Sequence, residues 1–187
     1  MSNIRPNGEF DPEHNIKFLP DSFAQDYSQF LLKEGDLIIA MTDMAGNPKI
    51  LGLPTMVNKI NGRNFLLNQR VGKLHSFSNQ IDVAYLRYFL SSPGIKEYYK
   101  SKGAGGLQIN ISKKDILSAT IPVPSFSEQK RIVAILDEVR TETQRLETIY
   151  RQKLAALKEL KQSILQKAFT GELTADTSKT VKEEIAA

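Results

Sequence analysis

Side chains able to hydrogen-bond to nucleic acid gather in the segment Asn58-Lys-Ile-Asn-Gly-Arg-Asn64. Lys59 and Arg63 can hold phosphates, which fixes register without reading sequence. Arg63, Asn61 and Asn64 can also form hydrogen bonds with base edges. The Asn-Gly pair within the segment is typical of a two-residue hairpin turn, so we expect these side chains at a hairpin tip. A polar turn in a β-rich module explains any single one of them equally well.

Two further groups of candidate DNA contacts follow along the chain. They are Gln69, Arg70 and Lys73 in the next stretch, and Lys100, Lys102, Lys113 and Lys114 around a glycine-rich loop at residues 103–106. The lysines can serve as phosphate contacts. They also stand near predicted helix ends, where a cation interacts favourably with the helix dipole, and that reading needs no ligand.

The charge distribution favours a polyanion as partner. The net charge of the chain is +4, but residues 1–43 carry three bases and eight acids, and residues 44–81 carry five bases and no acid. A domain polarised in this way can present a basic face to nucleic acid. Ordinary solvated lysine is the alternative explanation, and it suffices for the net charge of the whole chain.

The residue types needed for metal binding or redox chemistry are scarce. The chain has no cysteine, and its two histidines, His14 and His75, lie far apart. We therefore predict no metal site and no disulfide. No run approaches about 18 apolar residues, and no signal-peptide pattern opens the chain, so we expect a soluble cytoplasmic protein that binds no membrane.

Patterns that superficially suggest catalysis fail on their context. Asp115 followed by Glu128-Gln-Lys130 matches the Asp…Glu-x-Lys pattern of metal-dependent nucleases, but Glu128 lies in a predicted helix cap rather than on a strand. The glycine-rich loop is not followed by the Gly-Lys-Ser/Thr of a phosphate-binding loop. We therefore predict no catalytic residue in this chain.

The elements that must position these residues indicate an α+β fold, a β-rich module with short helices followed by one long helix. Extended segments are expected at 36–41, 51–60, 65–67, 71–74, 108–111 and 119–123, and short helices at 83–90, 93–102 and after a capping box formed by Ser112 and Asp115. The expected organisation is a module over residues 1–124, a long helix over 125–171 and a disordered tail over 172–187.

The long helix carries an apolar stripe with steps of mostly three and four residues, the spacing of a coiled coil. Ser125 and Glu128 are expected to cap its start and Gly171 to end it. The residues predicted to pair with another helix are Ile132, Leu136, Val139, Leu146, Tyr150, Leu157, Leu160 and Ile164.

An ordered set of short motifs resembles the specificity subunit of type I restriction-modification enzymes over about residues 1–173. The motifs are Tyr85-Leu-Arg-Tyr-Phe-Leu-Ser-Ser-Pro93, Gly105-Gly-Leu-Gln-Ile-Asn-Ile-Ser112, Ile121-Pro-Val-Pro124, Glu128-Gln-Lys-Arg-Ile-Val133 and the helix end Leu160 to Leu173. Each motif is weak alone, but their order is specific. Earlier, Glu34-Gly-Asp-Leu-Ile-Ile39 and Asn68-Gln-Arg-Val71 resemble the target-recognition domain of the same family.

The resemblance implies a non-catalytic subunit that recognises double-stranded DNA. In that family, two recognition domains are each followed by a long helix, the helices pack antiparallel, and each domain reads one half of a split target. Methylation subunits bring S-adenosylmethionine and restriction subunits bring ATP and magnesium, so no cofactor is expected in this chain itself.

The chain departs from the family pattern in two respects. It holds one recognition domain and one helix, and it starts later than family domains normally do. The resemblance thus implies half of a subunit, either natural or part of a longer chain, that pairs with a second copy or with another half. An adaptor protein whose rod binds a partner and whose module does not touch DNA is the alternative function. A methyltransferase or nuclease fragment ranks third.

Overall fold

The computed structural model describes residues 2–175. Two compact units are present, Met1–Ala134 and Ile135–Ala187. No helix in the described part of the chain is long and apolar enough to cross a membrane. The predicted α+β class is confirmed, because small antiparallel sheets and short helices precede one long helix.

The centre of the first unit is a three-stranded antiparallel sheet. Strand β1 (Leu37–Ala40) lies between β3 (Pro54–Met56) and β4 (Val71–Leu74). All four residues of β1 are buried, since its alternating side chains enter two separate apolar clusters on opposite faces. This explains why the strand is a continuous apolar run in the sequence.

A second, two-stranded sheet joins β2 (Thr42–Met44) to β5 (Gln108–Asn110). The Asp43 carboxylate accepts the backbone N–H groups of Lys49 and Ile50, both at 2.5 Å, and that of Leu51 at 3.2 Å. One side chain therefore folds the loop between β2 and β3 back onto its own start. The Gly105 φ of +138° closes the neighbouring glycine-rich loop, where a Cβ would strike the Gln108 carbonyl.

Short helices cover one face of the sheet. They are α2 (Val83–Leu90), α3 (Pro93–Lys102) and α4 (Lys113–Leu117), whose side chains join the cluster of Leu37 and Ile39. Helix α1 (Ser22–Asp26), which has no buried residue, and a 3-10 turn at Ser28–Phe30 come earlier in the chain. Asp82 caps α2 by accepting from the N–H groups of Ala84 and Tyr85. Ser112 and Asp115 form the predicted capping box of α4. Tyr99 of α3 is fully buried against the cluster that contains Leu37 and Ile39.

The predicted hairpin at Asn61-Gly62 is wrong. Both residues form a turn, but the flanking segments do not pair with each other, because β3 and β4 both pair with β1. The predicted strand 51–60 shortens to Pro54–Met56, and Leu66 forms only an isolated bridge with Leu31. A central apolar strand with two open edges offers more ladder hydrogen bonds than a local hairpin.

The long helix α5 (Phe126–Phe169) has 44 residues, which corresponds to about 66 Å. Its first nine residues belong to the first compact unit, and the helix continues into the second unit from Ile135. Gly171 ends it in the left-handed region at φ +79°, as expected. Residues 172–175, part of the predicted disordered tail, form a short helix α6 (Glu172–Ala175), and residues 176–187 lie outside the described residues.

In the second unit, the apolar stripe of α5 faces solvent. Seven of the eight predicted pairing residues are exposed, with Tyr150 at 60% and Leu157 at 61%. Ile132 differs, since it is half-buried in the first unit. Ion pairs at helical spacing, such as Glu142 with Arg145, lie on the same helix. A stripe of this extent on one helix is the arrangement that pairing with a second helix would bury.

Candidate nucleic-acid interface

The Asn61-Gly62 turn is built with unusual backbone angles. Asn61 has φ +52° and Gly62 has φ +70°, the left-handed region that asparagine and glycine tolerate best. The N–H of Arg63 closes the turn on the Ile60 carbonyl at 3.0 Å. The Glu34 carboxylate accepts the Ile60 N–H at 3.1 Å. The tip is therefore held in place although it is not a hairpin.

Glu13 joins the two polar side chains of this tip. Its carboxylate accepts from Asn61 Nδ2 at 2.8 Å and from Arg63 Nη1 at 2.9 Å, one oxygen to each donor. The hydrogen bonds from Asn61 and Arg63 hold the pKa of the Glu13 carboxyl below its usual value. The Arg63 and Glu13 side chains are 40% and 53% exposed, so all three groups stay open to solvent.

The segment that carries Glu13 is anchored to the module. Ile4 and Phe10 form a bridge that tightens the segment, and Phe10 meets the ring of Phe65 edge-on, with 5.4 Å between ring centroids. The N–H of Glu13 donates to the Asp11 side chain at 3.0 Å. Sequence reasoning missed Glu13, because its partners are 48 and 50 residues away. The surplus of acids in residues 1–43 was the one signal in the sequence that an acidic side chain could pair with the basic stretch at 44–81.

The other predicted DNA contacts between residues 59 and 73 differ in whether their side chains are already paired within the protein. Lys59, Asn64, Gln69 and Arg70 are exposed. The Arg70 backbone is fixed on both sides, since its N–H donates to Asn68 Oδ1 and its carbonyl accepts from Met41. Lys73, by contrast, forms an ion pair with Asp36 at 3.2 Å and is only partly exposed.

The four remaining lysines lie on the neighbouring helices α3 and α4. Lys100 pairs with Glu97 at 2.6 Å, and Lys102 lies over the Tyr98 ring, 5.5 Å from its centroid. Lys113 and Lys114 are exposed in the first turn of α4. The structure thus gathers these lysines at one pair of helices, separate in the chain from the Asn61 turn. Their roles as DNA contacts stay predictions.

The two carboxylates of the nuclease-like pattern have structural roles. Hydrogen bonds from the Ser112 side chain and backbone lower the pKa of Asp115 as it caps α4. Glu128 accepts from Arg131 at 2.7 and 2.8 Å, which lowers the pKa of Glu128. Within residues 2–175, no group of three or more His, Cys, Asp or Glu side chains could hold a metal ion.

Gln129 anchors the start of α5 to the module. Its side chain is fully buried, at 0% exposure, and every polar contact it needs is made. It accepts from the Asp82 N–H at 2.8 Å and donates to the carbonyls of Gln80 at 2.8 Å and Pro124 at 2.9 Å. The sequence showed this glutamine only as part of a motif at a helix start, where an exposed position was the default.

Comparison with known proteins gives a family match and related proteins of the same kind. Residues 2–159 match the family described as "Type I restriction modification DNA specificity domain". The EcoKI specificity subunit of Escherichia coli (strain K12) is 30% identical over 87% of this chain and 34% of its own length. The MjaVIII specificity subunit of Methanocaldococcus jannaschii is 28% identical over 84% of this chain and 36% of its own length. The chain therefore spans about a third of these relatives.

A solved structure supports the fold assignment. A chain from the study titled "Structural basis underlying complex assembly and conformational transition of the type I R-M system" superposes with a TM-score of 0.57 and 28% identity. The superposition covers 74% of this chain and 31% of that chain. Because the family match covers most of the sequence, the chain belongs to the type I restriction modification DNA specificity domain family.

Proposed function

We propose that this chain recognises double-stranded DNA in a sequence-specific manner as one target-recognition domain of a type I restriction-modification system. The match of residues 2–159 to a DNA specificity domain carries the proposal. The structure supplies groups suited to the task, with Asn61, Arg63 and Arg70 on the surface of the module. Arginine and asparagine are the side chains that most often form paired hydrogen bonds with guanine and adenine.

The chain works, in this proposal, without catalysis of its own. The relatives are named specificity subunits of type I restriction enzymes, and the two carboxylates of its nuclease-like pattern are engaged in helix capping and an ion pair. Methylation and restriction subunits would dock on it and bring S-adenosylmethionine, ATP and magnesium.

The long helix would join two recognition domains. Its exposed apolar stripe, which includes Leu146, Tyr150 and Leu157, is the surface that a second long helix would cover. If the partner is a second copy, two-fold symmetry makes the helix interface isologous and the target a pair of inverted half-sites. A heterologous half-subunit would give two unrelated half-sites.

DNA binding is tested by selecting targets from random duplexes and titrating salt against the selected duplex. We expect affinity to fall steeply with salt, by roughly one power of salt concentration per phosphate neutralised. Arg70→Ala should weaken binding and reduce that slope. Arg151→Ala is the matched control, since Arg151 lies on the helix in an ion pair with Glu147. Enrichment of no sequence, with weak binding insensitive to Arg70, would contradict the proposal and favour an adaptor.

Pairing is tested by analytical ultracentrifugation at tens of micromolar. We expect a dimer, and we expect Leu146→Asp with Leu157→Asp to convert it to a monomer, because two buried carboxylates in a helix seam carry a large desolvation cost. Gln152→Asp, at an exposed position of the same helix, is the control that should leave the dimer intact. A strictly monomeric wild-type chain would refute pairing between two copies.

A further inference from the structure

We propose that Glu13 is a positioning residue that sets the base preference of Asn61 and Arg63. The inference rests on the proposed function and assigns the reading of one or two base pairs to this group of three side chains. Both carboxylate oxygens of Glu13 are already engaged by Asn61 and Arg63, so its part is to hold the two reading side chains in one orientation.

The hydrogen bonds to Glu13 leave the reading edges intact. Arginine has five N–H donors, and Glu13 engages Arg63 through Nη1 alone, so a pair of parallel donors stays available for guanine O6 and N7. Asparagine Nδ2 carries two hydrogens, and Glu13 takes one of them. Asparagine recognises adenine N7 and N6 through Oδ1 and the Nδ2 hydrogen on the same side as Oδ1, and this pair stays available when Glu13 holds the other hydrogen.

The charge of Glu13 argues for bases over phosphates as the partner. A carboxylate that bridges Asn61 and Arg63 repels a phosphate brought to the same two side chains. The edge of a base is neutral and carries no such penalty. Arg70 has no ion pair among the described residues and suits a phosphate better.

The backbone on both sides is fixed, so the orientation is not left to a flexible loop. Asn61 lies in a closed turn that Glu34 holds at Ile60, and Glu13 lies in a segment pinned by Phe10. An exposed ion pair of this kind contributes little to stability. The contact between Glu13 and Arg63 therefore matters mainly because it orients the arginine for recognition.

The test is target selection from random duplexes with wild type, Glu13→Gln, Glu13→Ala and Asp26→Asn. Asp26 is exposed on α1, so its change removes the same charge outside this group of three side chains. We expect both Glu13 variants to lose about 10-fold of base discrimination at one or two positions of the target. Non-specific affinity should match that of Asp26→Asn, and thermal unfolding should match wild type.

A second measurement separates orientation from simple competition. Arg63→Ala should relax the same target position, and adding Glu13→Ala to it should have no further effect there, because the two residues act as one unit. Tighter binding of the Glu13 variants with unchanged base preference would show Glu13 to be a competing anion and would overturn the inference. A preference identical to that of Asp26→Asn would overturn it as well.

The proposed function fails separately from this inference. Wild-type protein that enriches no sequence refutes the proposed function and the inference together. Wild-type protein that enriches a target, with Glu13 variants that select the same target equally well, refutes only the role of Glu13.

Discussion

Replacing Gln129 by leucine should destabilise the recognition module strongly. Leucine, like glutamine, is unbranched at Cβ and has a similar volume. It cannot, however, hydrogen-bond to the three backbone groups that Gln129 serves, the N–H of Asp82 and the carbonyls of Gln80 and Pro124. A buried polar group left without a partner costs about 1–3 kcal/mol. Gln80 is exposed, so water can serve its carbonyl. The Asp82 N–H and the Pro124 carbonyl remain unpaired, so we expect a total loss of about 2–6 kcal/mol.

The chain offers a direct assay and a matched control. It has no tryptophan, and two of its six tyrosines, Tyr85 and Tyr99, are buried in the module, so urea unfolding can be followed by tyrosine fluorescence. Gln152→Leu makes the same chemical change at an exposed position of the same helix and should shift the free energy of unfolding by less than about 0.5 kcal/mol. Hydrogen exchange at the Asp82 amide should speed up only in the Gln129 variant.

A Gln129→Leu protein as stable as the control would refute the reasoning. It would mean that the three backbone groups find other partners, or that the start of α5 does not need the module. A loss of stability with an unchanged exchange rate at Asp82 would also contradict it, because the lost stability would then have another origin.

Three further substitutions test the packing of the module. Tyr99→Phe removes a buried hydroxyl that has no partner among the described residues, so at neutral pH it should be neutral or stabilise by about 1 kcal/mol in urea unfolding. Burial raises the pKa of Tyr99 to about 12 from its usual value near 10. Unfolded tyrosine loses its proton first, so wild type should lose about 2–3 kcal/mol relative to Tyr99→Phe as pH rises from about 10 to 12. Gly52→Ala places a Cβ on the Tyr99 ring at φ +68° and should cost at least about 2 kcal/mol by thermal unfolding, whereas Gly46→Ala, in open space, should cost little. Asp43→Ala should cost about 1–3 kcal/mol and should speed exchange of the amides at 49–51.

Local signals predicted most of the regular structure. The apolar run of β1, the Asp82 cap of α2 and the capping box of Ser112 each act within a few residues, and each is present. The start and end of α5 were also predicted within a residue or two. These features depend on backbone groups near in sequence, which a single sequence shows directly.

The partners of the strands and the contacts of the site could not be predicted in the same way. The Asn61-Gly62 pair formed its turn, but the strand that pairs with β3 was decided by burial of β1 on both faces. Gln129 and Glu13 depend on partners 47 to 50 residues away. No periodicity or spacing reports contacts of that kind, and an ordinary polar residue on a surface has the same local sequence.

The charge pattern of the sequence also changes meaning once the chain is folded. Residues 44–81 contain no acid, yet acids from residues 1–43 lie directly on that stretch, with Glu13 on Arg63, Glu34 on the Ile60 amide and Asp36 on Lys73. An acid-free segment is therefore not an acid-free surface. Two of its five bases are already paired, so the salt dependence expected for the proposed DNA binding comes from the other three and from lysines elsewhere on the module. In the proposed function, Arg63, which is paired with Glu13, then supplies base readout, and the unpaired bases supply affinity.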